Sequence, residues 1–298
     1  MQLLQPRTMR ALTVDGRLLF GTRIARLFAY GFLSVVLVLY LAQVGLSEPQ
    51  IGLLLTLMLV GDTVVSLWIT TTADRIGRRR MLIASAGLMV FASVVFASTG
   101  DLTLLLIAAI IGIISPSGNE VGPFLAIEQA ALSQTVSDKQ RTQVFAWYNL
   151  VGSFATALGS LAGGGLPQAL QGAGIASLAS YRVVVVGYGV IGLALGILFT
   201  RLSPAIEVAV TPVTRTTESS IKRRFGLHRS RGVVLKLSAL FSLDAFGGGF
   251  VVQSIVAYWF HIRFGVEPAV LGGIFFGANI LAGVSALLAA RVAARIGL

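Results

Sequence analysis

The chain has 298 residues, 55% of them apolar and only 12% charged, with a mean hydropathy of +0.86 and a net charge of +11. A soluble domain carries about 25% charged residues, so these values exclude an ordinary water-solvated globule. The absence of cysteine excludes disulfides and thiol chemistry.

Eight apolar runs, each long enough to cross a hydrocarbon core as a helix, are read at 27–46, 51–72, 81–99, 102–133, 141–165, 181–200, 233–261 and 268–290. The first is longer than a signal-peptide core, and no small-residue cleavage site follows it, so it is expected to remain a membrane helix. With the amino terminus inside, only Arg182 and Arg263 of the 23 Lys and Arg fall on the outer side. Arg23, Arg26, Arg75, Arg78, Arg79, Arg80 and the basic residues of the middle loop all count as inside charges. The alternation follows the positive-inside rule, so the basic excess sets orientation and does not point to nucleic acid. The expected location is a plasma membrane of the bacterial inner-membrane type.

The first six runs are joined by short connections and read as one half, 1–200. Residues 201–232 form a cytoplasmic linker with Pro204, Pro212 and a basic stretch at Lys222, Arg223 and Arg224 that can rest on anionic lipid or simply be solvated. The last two runs, 233–298, read as the start of a second half. An internal repeat supports this division. The segment 45–77 recurs without a gap at 265–297, an offset of 220 residues, with Gly45/Gly265, Gly52/Gly272, Val64/Val284, Leu67/Leu287, Ala73/Ala293, Arg75/Arg295, Ile76/Ile296 and Gly77/Gly297 identical.

Between runs two and three stands Ala73-Asp74-Arg75-Ile76-Gly77-Arg78-Arg79-Arg80. It resembles the cytoplasmic loop signature of the major facilitator superfamily, with Thr70 at the position of the motif's first glycine. Gly159-Ser160-Leu161-Ala162-Gly163-Gly164 is similar to the Gly-Pro-x-x-Gly-Gly motif of that superfamily's antiporters, with Ser160 in place of proline. The resemblance implies an all-α polytopic bundle of two six-helix halves, here one complete half and the first two helices of the second. It also implies a secondary transporter of a small solute that opens alternately to each side, with no enzymatic activity. Export of an amphipathic or cationic compound is the direction the second motif favours. The length implies that about four helices are missing. A truncated, non-transporting product, or a membrane scaffold or sensor that kept the fold, is the alternative.

Within that frame Asp74, Arg75, Gly77, Arg78 and Arg79 are expected to form a conformational latch, with Glu128 on helix four as its carboxylate partner. Topology alone is the competing reading of the same arginines. Helix four contains Pro116, Gly118, Gly122 and Pro123, which predict a break or kink. Glu120 lies inside that break beside Asn119, and a carboxylate at membrane depth is costly. Three roles are open to Glu120: a proton site, a contact for a cationic substrate, or a structural bridge to an arginine such as Arg26. Asp244 and Gln253 lie on helix seven, and Asp244 is expected either to gate against Arg23 or Arg26 or to be a helix-end charge. Tyr30, Tyr40, Gln43 and Asn149 are further polar positions on the helices. His228 and His261 have no clustered partners, so no metal is expected. No phosphate-binding glycine loop is found, so no nucleotide cofactor is expected. The coupling ion expected is the proton.

Overall fold

A computed structural model describes residues 13–120, 122–136, 138–207, 231–249 and 251–296. All regular structure among them is helical. In chain order the α-helices are α1 (Val14–Ser34), α2 (Leu37–Val44), α3 (Glu48–Ile76), α4 (Arg78–Ser98), α5 (Leu102–Ile111), α6 (Phe124–Thr135), α7 (Asp138–Gly172), α8 (Ser177–Thr200), α9 (Arg231–Gly249), α10 (Gln253–Phe264) and α11 (Pro268–Ile296). A 3₁₀ turn, Pro204–Ile206, follows α8. Among the described residues six stretches are long and apolar enough to cross a membrane, or seven if α1 and α2, bent by 46° at residues 35–36, count as one.

The boundaries follow local chemistry. Thr13 caps α1 by accepting from the Gly16 amide, and Asp101 caps α5 by accepting from the Leu104 amide at 3.0 Å. Ser47 and Gln50 close a capping box at the start of α3, with Pro49 in its first turn. Gly45 ends α2 at φ 103°, and Gly265, its repeat partner, follows α10 at φ 65°. α3 and α11 are both 29 residues long and sit 220 residues apart, so the sequence repeat is also a repeat of structure.

The apolar run 102–133 is not one helix. Residues 112–120, 122 and 123 leave helical geometry, with Gly118 at φ 71° and Gly122 at φ 79°. The first helix also starts at Val14, thirteen residues before the apolar run read from sequence, because Arg17, Arg23 and Arg26 interrupt the hydropathy but not the helix.

Helices α1–α8 with α10 and α11 form one compact unit, and α9 belongs to another. In the first unit α7 lies between α1 and α11, and α4 lies along α8. Small residues allow these approaches. A Cβ at Gly159 would stand 2.1 Å from the Phe28 carbonyl oxygen, at Gly163 2.1 Å from that of Phe32, and at Gly164 2.1 Å from that of Pro268. In a bilayer, where helix packing is the main adhesive force, this closeness holds the bundle together. Most of the linker expected at 201–232 lies outside the described residues, as does His228.

Candidate functional site

The best-built polar centre lies where α1, the break between α5 and α6, and α7 meet. Arg23 and Arg26 are one turn apart on the buried face of α1. Arg26 is fully buried and grips two carboxylates. Its Nε donates to Glu120 Oε1 at 2.8 Å, and its two terminal nitrogens donate to Glu128 Oε1 and Oε2 at 2.7 and 2.8 Å. Arg23 donates to Glu120 Oε2 at 2.8 Å, to the Tyr148 carbonyl at 2.8 Å and to Asn149 Oδ1 at 3.3 Å. Thr22 donates to Glu128 Oε1 at 2.9 Å, and the Tyr148 hydroxyl donates to Glu128 Oε2. Each guanidinium also lies over a ring: Arg23 is 4.1 Å from the centroid of Tyr148, and Arg26 is 4.7 Å from that of Phe124.

The four charges cancel, and the bonds between the arginines and the glutamates are all 2.7 to 2.8 Å long. Planar bidentate pairing is what the arginine fork does best, and this is how two guanidinium groups are tolerated inside an apolar bundle. Gly152 leaves room for it: a Cβ there would stand 2.8 Å from Arg23 Nε. Glu120 is the accessible member, with 14% of its side chain exposed against none for Glu128.

The break itself is held by groups from other helices and by one side chain of its own. The Tyr188 hydroxyl donates to the Ile113 carbonyl at 2.7 Å, and the Ser115 hydroxyl to the Asn119 carbonyl at 2.8 Å. The Ser254 amide and hydroxyl both reach the Pro116 carbonyl, at 3.1 and 2.5 Å. Asp62, on α3, accepts from the Ser66 hydroxyl at 3.3 Å. Irregular backbone at membrane depth needs such partners. Beside the break, the Gln253 amide donates to Ser34 at 2.9 Å and to Ser160 at 3.3 Å. Gly118 packs here, its Cβ position 3.0 Å from Ser34 Oγ.

Several residues singled out in the sequence therefore come together: Arg26, Glu120, Glu128, Asn149 and, through its amide, Gln253. Tyr30 is fully buried and stacks on Tyr188 with centroids 6.4 Å apart. The side chain of Asn119 is exposed; its backbone serves the break. Asp244 lies on α9, in the other unit, with its side chain exposed there, and its gate with Arg23 or Arg26 remains an expectation.

Two readings are corrected. Glu128 does not face the loop of Asp74 to Arg80; it is fully buried against Arg26, because the arginine fork of α1 offers it two bonds inside the bundle. The carboxylate that serves the loop is Glu207, after the 3₁₀ turn. It accepts from the Arg78 and Arg79 backbone amides at 2.7 and 3.1 Å, where the first turn of α4 leaves donors free. Gly77, at φ 113°, lets the chain pass this carboxylate, its Cβ position 3.3 Å from Glu207 Oε1. Arg78 also bonds Asp74 at 2.9 Å and the Ile206 carbonyl at 3.2 Å, Arg79 bonds the Thr200 carbonyl, and Arg75 is exposed. Second, Arg23 and Arg26, counted from the sequence as inside charges ahead of the first run, are both buried in the bundle against carboxylate partners, Arg26 on Glu120 among them. Tyr148, Thr22, Asp62, Ser254 and Glu207 were not read from the sequence. Only Asp62 had a visible signal, a lone carboxylate in the middle of an apolar run.

A helical bundle of apolar spans, broken in mid-run around a buried charge cluster, defines a multi-pass membrane protein of the transporter class. The family model described as Major Facilitator Superfamily matches residues 19–298, and the chain belongs to that family. It is 30% identical over 307 aligned positions to the uncharacterized membrane protein YJR124C of Saccharomyces cerevisiae, covering 95% of this chain and 68% of the relative. In fold it is similar to the crystal structure of a D-xylose-proton symporter, with a TM-score of 0.59 and 16% identity, covering 94% of this chain and 69% of the other.

Proposed function

We propose that the protein is a proton-coupled secondary transporter of a small solute, working by alternating access, with the Arg23–Glu120–Arg26–Glu128 cluster as the hinge of its site. The single observation that carries this reading is the closed charge cluster at the helix break, with Glu120 as its accessible edge. A structure that needed only stability gains little from buried ion pairs, since apolar side chains of similar volume do as well. A site that must exchange partners gains a great deal: a cationic group arriving at Glu120 competes with two guanidinium groups and loosens α1 from α6 and α7. The D-xylose-proton symporter of similar fold supports proton coupling as the energy source. Residues 1–200 and 233–298 are proposed to belong to the two halves that rock against each other. The proposed setting is a plasma membrane with the amino terminus in the cytoplasm, as the distribution of basic residues indicates. The bonds of Glu207, Asp74, Arg78 and Arg79 are proposed to latch one state at that face.

The test is transport by the full chain in proteoliposomes carrying a luminal pH dye and an imposed pH gradient. The solute panel comprises D-xylose, other small polar solutes and amphipathic cations. A solute-dependent collapse of the gradient is expected, and Glu120→Gln should abolish it. A gradient that no solute on the panel affects would overturn the transport reading, and an unchanged Glu120→Gln would remove Glu120 from the site.

A further inference from the structure

A cavity of about 470 Å³ lies where α10 rests on α2 and stands off from α3, at the end of α3 opposite the loop of Asp74 to Arg80. It shares no residue with the charge cluster. Its volume falls in the range of about 300–1,000 Å³ of small-molecule sites. The floor is apolar and buried, formed by Val38 of α2 and by Ile51 and Leu55 of α3. One wall is a stripe of α10 in which Ile255, Trp259 and Ile262 follow helical spacing and are exposed. On a membrane span an exposed apolar stripe meets hydrocarbon, so the cavity opens sideways to lipid.

The rim carries two opposite charges. Glu48 comes from the first turn of α3 and Arg263 from the last turn of α10, and both are exposed. Among the described residues neither takes part in a salt bridge, although both line the same cavity. Tyr258 and Trp259 complete the lining. Edge contacts to Phe260 and Phe264, with centroids 5.2 and 5.3 Å away, hold the Trp259 indole in place. Anchoring at a membrane interface accounts for Tyr258 and Trp259. It does not account for a cavity that gathers a carboxylate and a guanidinium, not paired with each other, above an apolar floor.

We propose that this cavity binds a zwitterionic phospholipid from the adjoining leaflet. The guanidinium of Arg263 takes the phosphate, as its planar fork suits phosphate oxygens. The carboxylate of Glu48 and the aromatic wall take the ammonium. The glycerol end of the acyl chains rests on Val38, Ile51 and Leu55. An anionic phospholipid fits less well, because it has no ammonium to offer Glu48. The bound lipid bridges α3 and α10 at the end where these helices stand apart. This is a second site, and the assignment holds whether or not the chain moves a solute.

The test weighs the full chain, delipidated in mild detergent, by native mass spectrometry after addition of phosphatidylethanolamine, phosphatidylcholine or phosphatidylglycerol with identical acyl chains. Either zwitterionic lipid should be retained about fivefold more tightly than phosphatidylglycerol, the worth of one exposed charge contact. Gly52 lines the cavity, and a Cβ there meets nothing within 4 Å. Gly52→Leu therefore fills the space without a clash, and leucine is the better helix former. It should abolish the preference. Glu48→Gln and Arg263→Gln should each weaken retention about two- to fivefold, whereas Arg80→Gln, an exposed charge at the far end of the bundle, should change nothing. Circular dichroism of each variant separates lost binding from lost folding; should Gly52→Leu lose its helical signal, the two charge variants decide. Equal retention of the three lipids, or a preference that survives these substitutions, means lipid bound only as part of the general shell and overturns the proposal. A dimer that Gly52→Leu dissociates puts a second copy of the chain in the cavity and overturns it as well.

Discussion

Replacing Arg26 by methionine removes three charged bonds of 2.7 to 2.8 Å from a side chain that has no solvent exposure. Methionine keeps most of the volume, so the loss is electrostatic. Glu120 retains Arg23, but Glu128 retains only the Thr22 and Tyr148 hydroxyls and becomes a buried charge without a counter-charge. Removing one partner of a buried pair costs about 3–5 kcal/mol. Adding Glu128→Gln removes the stranded charge and leaves a side chain that both hydroxyls can still bond. The double variant should therefore be more stable than the sum of the two single losses, by at least about 1.5 kcal/mol. Unfolding in mixed micelles, followed by the three tryptophans, measures these differences in a chain without cysteine to label. An Arg26→Met loss below about 1 kcal/mol, or a strictly additive double variant, would refute the claim that the cluster is a coupled, desolvated unit.

Two further outcomes follow from packing and capping. Gly163→Ala puts a methyl 2.1 Å from the Phe32 carbonyl oxygen and should cost about 1–3 kcal/mol in the same unfolding measurement, whereas Gly165→Ala, with nothing within 4 Å, should be near neutral. Equal losses at the two positions would contradict the close approach of α1 and α7. Glu207→Ala frees the Arg78 and Arg79 amides at the start of α4 and should cost about 1 kcal/mol locally, read as about fivefold faster tryptic cleavage at the arginines 78–80 in open vesicles. Cleavage at the unaltered rate would mean that this carboxylate does not hold the loop.

Much of the architecture was legible in the chain itself. Apolar runs of spanning length, the 220-residue repeat and the Pro/Gly cluster of helix four announce an all-helical membrane bundle, a repeated unit and a broken helix. These features depend on neighbours in sequence: backbone hydrogen bonding must be satisfied within each span, and proline and positive-φ glycine defeat that locally whatever surrounds them. The carboxylate Glu120 stood out as an anomaly, whereas Asp62, equally alone in its apolar run, was passed over. Of their partners only Arg26, one of the alternatives for Glu120, was named. Arg26 meets Glu120 and Glu128 across 94 and 102 residues, and Glu207 meets the start of α4 across 128 and 129. A buried charge is tolerable only if another helix supplies its counter-charge, and a hydropathy window cannot see another helix. That is why Arg23 and Arg26 counted as inside charges with several open roles and Glu128 as a latch, until the packing of α1 against α6 and α7 put the guanidinium forks and the carboxylates in one place. The sequence determined which segments cross the bilayer and where one must break; the tertiary structure alone decided which charges face each other inside it, because that pairing depends on distances between helices that no local pattern encodes.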